Sequence, residues 1–411
     1  MAEIGWVFYS PEQKKRVDNV LKYFEEKGIV DELGLGAVRD AFANILFPGT
    51  STIQTRAKYF LLVPYCMREI EKQPSLVENY MENLRKKETS LIKTLLKGKD
   101  ADNIIGKNKQ DKLQTFPSSI YWNGLKKFGI IKLQPNQSIS EYFKLRKYYS
   151  RKERGIASEK EKRNEELRDD NDAFRLKNFW STLPIPKKDW LSNEDIRLTK
   201  EEAGFLKTKI LTSQGKSLFG FLLKDEIDIS EFNSLYDFYL RYNNSLPCEL
   251  KQIVKLACDF EIVMRGAIIL YNILLQDQRS IPFEKDPKLL LKQWQQDYRN
   301  YDLGNFSPID IEPFLTKGNR FGVMQFINDW FNLLKMGKAN SDIGNNLIRR
   351  RELNIKKNRA RLNSPAKADT VRSLTALFPF NDGSDRSLYL TYRFKIVQRL
   401  LNDIYEGLKN A

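Results

Sequence analysis

The sequence predicts a mainly α protein, α with minor β, built as several helical lobes. Three observations lead there. Apolar residues recur at helical spacing between recognisable caps and stops, strand-like alternation is scarce, and 41% hydrophobic with 12% aromatic residues over 411 positions can fill a real core. No repeat of 20–50 residues is visible in the chain.

In chain order, Ser10 caps a first helix with Pro11 at its opening position, and Val17, Val20, Leu21 and Phe24 form a stripe that Gly28 ends. Residues 37–46 put Val38, Ala41, Phe42 and Ile45 on one face, and Phe47-Pro48-Gly49 stops that helix with a turn. A further helix is expected from Ser51, because Ser51 and Gln54 have capping-box spacing. It runs towards Tyr65, although the apolar run 59–63 also fits a buried strand, and Pro64 marks a kink or an end in either case. Residues 76–96 read as an amphipathic helix ending at Gly98, followed by a polar loop over 97–112.

Phe116-Pro117-Ser118-Ser119 introduces a short helix, capped at Ser118 or Ser119 and closed by Gly129, before an extended stretch at 130–133. A short aromatic-rich helix leading into a strand matches part of a winged-helix unit near 116–133, with Lys126, Lys127 and Lys132 on its outer side. Residues 151–172 are charged nearly throughout, so a boundary is expected there. The expected division is a helical N-terminal domain with a basic surface over 1–150, a charged linker or exposed helix over 151–190, and a helical C-terminal domain over 191–411. Thr199 and Glu202 have capping-box spacing, and further helices are expected around 231–242, 247–275, 286–298, 319–336 and 386–408. The apolar run 257–275 carries Asp259, Glu261 and Arg265, which a membrane span would not tolerate, so it reads as a buried helix and no membrane partner is expected.

The chain contains no histidine. Ser-His-Asp and Cys-His nucleophile systems and His-based zinc sites are therefore excluded, leaving carboxylate-plus-metal chemistry, Ser-Lys or Cys-Lys variants, or no chemistry. Cys66, Cys248 and Cys258 share no metal-binding spacing and read as reduced core fillers. With Glu3 near its start and no apolar run of useful length, the N-terminus does not read as a signal peptide, and a cytoplasmic protein is expected.

Net charge is +16, and it is unevenly placed. Residues 85–154 hold 18 Lys and Arg against 6 Asp and Glu, and residues 349–367 hold 8 against one, which leaves the rest of the chain slightly negative. Two concentrated blocks on an otherwise balanced chain are the footprint expected of contact with a phosphate backbone, DNA or RNA. Arg349, Arg350, Arg351, Lys356, Lys357, Arg359 and Arg361 are the candidate contacts in the second block, with Lys126, Lys127 and Lys132 in the first.

Residues 32–65, ELGLGAVRDAFANILFPGTSTIQTRAKYFLLVPY, together with Gly5-Trp6, IYWNGL at 120–125 and LTYRFKIVQRLLNDI at 390–404, closely resemble an uncharacterised prokaryotic domain-of-unknown-function family. The chain departs from the family pattern at Tyr65-Cys66, where an aromatic such as Trp is common. The resemblance implies a bacterial or archaeal protein encoded near helicase and phospholipase-D-like nuclease genes in defence islands, and it brings no characterised activity. Arg39, Asp40 and Arg56 lie inside the signature. One reading has the arginines clamp a phosphate with the backbone amides of 50–52; the preferred, structural reading pairs Asp40 with Arg56 across adjacent helices. Gly49-Thr50-Ser51-Thr52 lacks the lysine of a P-loop.

Asp225, Glu226, Asp228 and Glu231, and Asp310 with Glu312, have the spacing of loop carboxylates, and neither group has the downstream Glu-x-Lys of a metal nuclease. Tyr121, Trp122 and Phe128 have the chemistry to stack bases, but aromatics at helical spacing are more often core, which is the preferred reading. The expected function is thus a non-enzymatic, nucleic-acid-associated component of a bacterial antiviral defence system acting with a helicase or nuclease partner, with no catalytic residue, metal or cofactor. A His-free metal-dependent nuclease and a protein-interaction scaffold are the rival classes.

Overall fold

The structure, a computed structural model, describes residues 31–98, 100–107, 113–163, 179–284, 286–371 and 390–410. The expected helix after Ser10, the Gly5-Trp6 pair and part of the stretch 386–408 lie outside the described residues. The protein is mainly α, and the β content among the described residues is one isolated antiparallel bridge between Ile131 and Trp180. The described residues sort into two compact units, one drawing on residues up to Ala41 and Lys255–Leu390, the other on Phe42–Val254 and Thr391–Ala411. Two of these divisions fall inside helices, the third lies just before the last helix, and none is in the charged stretch 151–190. That stretch begins as the continuation of helix α6, defined below, whose first turns are anchored in the core by Tyr142, Phe143 and Arg146.

In the second unit, α1 (Gly36–Leu46) enters from its N-terminal turns and ends at the turn expected of Pro48-Gly49. No helix starts at Ser51. The chain stays irregular until α2 (Tyr59–Glu71), because the hydroxyl of Tyr121 takes the amides of Thr55 and Arg56 at 2.9 and 3.1 Å and returns a bond to the Arg56 carbonyl at 2.8 Å. Gln54 still caps, bonding the Ser51 amide at 3.1 Å, and its side-chain amide donates to the Gly49 carbonyl at 3.2 Å, so the capping pair staples a loop. The apolar run 59–63 is helical and wholly buried, and Pro64 is carried inside the helix. The expected helix over 76–96 is two, α3 (Pro74–Val77) and α4 (Tyr80–Leu95).

α5 (Pro117–Lys127) has Phe116 as its cap residue and no side-chain cap of its own. The Glu88 carboxyl on α4 serves instead, 2.6 Å from the Ser118 amide, from which it accepts, and 3.0 Å from the Ser118 hydroxyl. A single bridge at Ile131 follows α5 where a winged-helix unit would have a hairpin wing. α6 (Ile139–Arg163) opens on a Ser138/Glu141 capping box. After a 3-10 turn at Trp190–Ser192 come α7 (Lys200–Gln214), whose Thr199/Glu202 capping box forms as the spacing predicts, α8 (Leu218–Lys224) and α9 (Leu235–Tyr242).

The C-terminal α15 (Phe394–Lys409) returns to this unit and packs on α7 so closely that a Cβ at Gly407 would lie 2.8 Å from the Ala203 and Leu198 side chains. Lys58, 2% exposed, reaches Glu194 at 2.7 Å, Glu202 at 3.2 Å and the Arg197 carbonyl at 2.9 Å. Nothing in the local sequence marks this buried cluster.

In the first unit, α10 (Cys248–Gln276) carries the expected buried charges in internal pairs: Arg265 meets Glu261 one turn away at 2.7 Å and Asp297 at 3.1 Å, while Lys255 meets Asp259. α11 (Pro287–Asn300) lays Trp294 across Gly266, with its indole donating to the Ile262 carbonyl at 2.8 Å. A 3-10 segment (Pro308–Phe314), α12 (Lys317–Lys335), α13 (Asp342–Lys356), a 3-10 turn (Lys357–Arg359) and α14 (Pro365–Ala368) complete it. Trp330 of α12 is fully buried and donates to the Val263 carbonyl at 2.8 Å. Cys66 and Cys258 fill core positions, whereas Cys248, at the first turn of α10, is exposed. Among the described residues no helix is long and apolar enough to cross a membrane.

Candidate nucleic-acid interface

The basic block 349–361 is split by α13 into two faces with different work. Gly344, Ile348, Arg351 and Glu352 are its buried positions, spaced as one helical stripe. Arg351 points into the unit: its guanidinium donates to the Leu33 and Gly322 carbonyls, both at 2.8 Å, and burial lowers its affinity for the proton. Glu352 is fully buried and accepts from the Arg361 and Leu362 amides at 2.8 and 3.0 Å and from the Tyr271 hydroxyl at 3.0 Å. The Arg361 guanidinium pairs with the buried Glu32, which Lys356 also reaches at 3.2 Å. Arg349 donates to the Leu362 carbonyl at 2.8 Å. Four of the seven candidates therefore hold the fold together.

Arg350, Lys357 and Arg359 are different. All three side chains are exposed and make no hydrogen bond or ion pair among the described residues. Arg350 stands on the last turns of α13, Lys357 is its C-cap residue at φ 49°, and Arg359 lies in the 3-10 turn that follows, so the three cations gather at the C-terminal end of the helix. Arg351→Ala is thus expected to destabilise the protein by about 2–3 kcal/mol, since it removes a charged donor and strands buried carbonyls. Arg350→Ala should stay within about 0.5 kcal/mol, and thermal unfolding of the two variants measures the contrast.

In the second unit, Lys126 spends two N–H donors on the Pro135 and Gln137 carbonyls at 2.7 and 2.8 Å, and burial lowers its pKa. Lys127 and Lys132 are exposed. Tyr121, Trp122 and Phe128 are buried, as core aromatics are.

The pairing of Asp40 with Arg56 does not form. Asp40 meets its neighbour Arg39 at 3.1 Å. Arg56, buried in the second unit, instead takes Asp403 of α15 at 2.9 Å and Asp100 at 2.7 Å, and Asp403 also accepts from the Ala57 amide at 2.7 Å. The expected partner was the nearest acid in sequence along the two helices; the real one arrives on the C-terminal helix, 347 positions away. Two of the three amides at 50–52 are spent too, since the Thr50 amide donates to the Phe47 carbonyl at 3.3 Å and the Ser51 amide to Gln54.

The loop carboxylates are engaged with their neighbours. Glu226 pairs with Lys207 at 2.6 Å, Glu231 with Arg241 at 2.8 Å, and Asp228 accepts from the Ser230 amide at 2.8 Å, which holds its carboxyl below the usual range. Among the described residues no group of three His, Cys, Asp or Glu gathers as metal ligands.

Fold and surface together define a mainly α protein with exposed cations, in which Glu226, Asp228 and Glu231 bond to neighbouring groups. The chain belongs to the family of unknown function DUF6361, whose family model matches residues 1–300. No curated protein and no solved structure matches it.

Proposed function

We propose that the protein is a non-catalytic, nucleic-acid-associated component of a bacterial antiviral defence system, working in the cytoplasm beside a helicase or nuclease. The observation that carries the binding part is the set of exposed cations Arg350, Lys357 and Arg359 at the C-terminal end of α13, which make no hydrogen bond or ion pair among the described residues. Cations left free by the fold are the ones a phosphate backbone can take, because contact releases condensed counterions without breaking internal pairs. The defence setting and the helicase or nuclease partner follow from the family resemblance.

The test is incubation of the purified protein with duplex DNA and single-stranded RNA in Mg²⁺ and Mn²⁺. Bound and intact probe is the expected result. Metal-dependent cleavage abolished by Asp225→Asn and Glu231→Gln would replace the proposal with a nuclease, and absence of binding to either probe would favour the scaffold.

A further inference from the structure

Three of the segments that carry the family resemblance meet in the second unit around a recess of about 480 Å³. The first supplies Asn44 and the loop 48–51 with Gln54, the second Ile120 and Asn123, and the third Arg393; Lys126 and Lys127 follow the second directly. No Asp or Glu is among the lining residues. Lys126, Lys127 and Arg393 give this lining positive charge, which favours an anion. Lys126 and Arg393 also hold internal acceptors, and Glu141 lies near enough to Lys126 to act on it, so the exposed Lys127 is the cation most open to a ligand.

The recess is also held in shape. Gly49 sits at φ +81°, where a Cβ would lie 2.5 Å from the Phe128 ring, and a Cβ at Gly124 would lie 2.5 Å from the Gly49 carbonyl oxygen. Loop and helix thus touch backbone to backbone, and the Gln54 staple fixes the loop from inside. Arg393 locks the far side, donating to Asn44 Oδ1 at 2.8 Å and the Thr50 carbonyl at 2.7 Å. Tyr392 and Arg393 both adopt positive φ, 42° and 66°, a costly conformation for two consecutive side-chain-bearing residues. Ser51 Oγ is buried on the same loop without a hydrogen-bond partner. The Lys127 and Asn123 side chains are exposed and have no partner among the described residues.

We infer that this recess binds a phosphate monoester of about nucleotide size, with Lys127, Asn123 and Arg393 at the phosphate and the apolar lining of Pro48, Ile120, Leu133 and Pro135 against its organic part. The paired cations suit a dianion, and the volume lies in the range of small-molecule sites and exceeds what inorganic phosphate fills. The source of the monoester is either a free nucleotide or the 5′ end of a nucleic acid. This inference does not rest on the α13 cations.

The experiment is calorimetric titration of the full chain with adenosine 5′-monophosphate, with inorganic phosphate, and with a short oligonucleotide carrying a 5′-phosphate or a 5′-hydroxyl. At least one phosphate ester should bind more tightly than inorganic phosphate. Lys127→Glu and Asn123→Asp should each weaken that binding about tenfold or more, the size of one charge-assisted hydrogen bond, with unfolding temperature unchanged because both side chains are exposed. Tighter binding of the 5′-phosphorylated oligonucleotide assigns a nucleic-acid end, and tighter binding of the mononucleotide assigns a free ligand. A variant neutralised at Arg350, Lys357 and Arg359 should keep the mononucleotide affinity. No ester binding, inorganic phosphate binding as tightly as the ester, or affinity indifferent to both substitutions overturns the inference.

Discussion

Arg56→Ala is expected to lower stability by about 3–5 kcal/mol, while Asp40→Ala stays within about 1 kcal/mol. The two residues lie in the same signature, yet their surroundings differ. Asp40 is 47% exposed, so water screens the pairs it makes, that with the adjoining Arg39 among them. Arg56 and Asp403 are each 7% exposed. Burial pushes the Asp403 carboxyl up to about 6, and the two carboxylates keep Arg56 firmly cationic, so the pair is ionic at neutral pH. Removing the guanidinium leaves Asp403 uncompensated and frees α15 from the loop before α2. Chemical denaturation of both variants against wild type measures the difference, and equal losses would show that the Asp403 pair is not what holds these segments.

The second large effect is a pH dependence set by Glu88. Its carboxyl is fully buried, and burial pushes its pKa up to about 8 although two donors from Ser118 and the charge of Arg85 pull the other way. The folded chain therefore keeps this proton while the unfolded chain releases it near 4.5. Between those values the folded state binds the extra proton, so this group's contribution to stability is complete below about pH 4.5 and is lost as pH rises towards 8. The loss is on the order of 4–5 kcal/mol. Glu88→Gln preserves the shape, with the side-chain oxygen accepting from the Ser118 amide and the new NH2 donating to its hydroxyl. The variant should match or exceed wild-type stability at pH 8 and should lack the Glu88-linked decline. A variant whose stability falls with pH as steeply as the wild type would place the dependence elsewhere.

Caps and periodicity were legible where the relevant partners are local. Thr199 and Glu202 cap α7 as their spacing predicts, and α10 is a buried helix despite Asp259, Glu261 and Arg265 because its charges find partners one turn away or on the neighbouring α11. The same local rule failed at Ser51, where Tyr121, 65 positions on from Arg56, captures the amides a helix start would need. It failed at Ser118 because Glu88 supplies the cap from another helix.

In the basic block, charge counting could not tell inward from outward arginines. The signal was present, since Arg351 lies at helical spacing from Gly344 and Ile348, and reading that stripe would have separated it from Arg350. The α13 helix itself was hidden by the density of charge. The recess needed Asn44, Asn123 and Arg393 from three distant segments, and no spacing rule links Arg393 to the Thr50 carbonyl across 343 positions. Such a site becomes visible only once the chain is folded.

Salt dependence of nucleic-acid affinity probes the exposed α13 cations without an intermediary. For duplex DNA, log Kobs against log salt should be linear, and neutralising Arg350, Lys357 and Arg359 together should flatten the slope by roughly 3, about 0.9 for each phosphate no longer neutralised. The variant should remain folded, as these side chains support no internal contact among the described residues. A folded variant with the wild-type slope would contradict the assignment of these cations to nucleic acid.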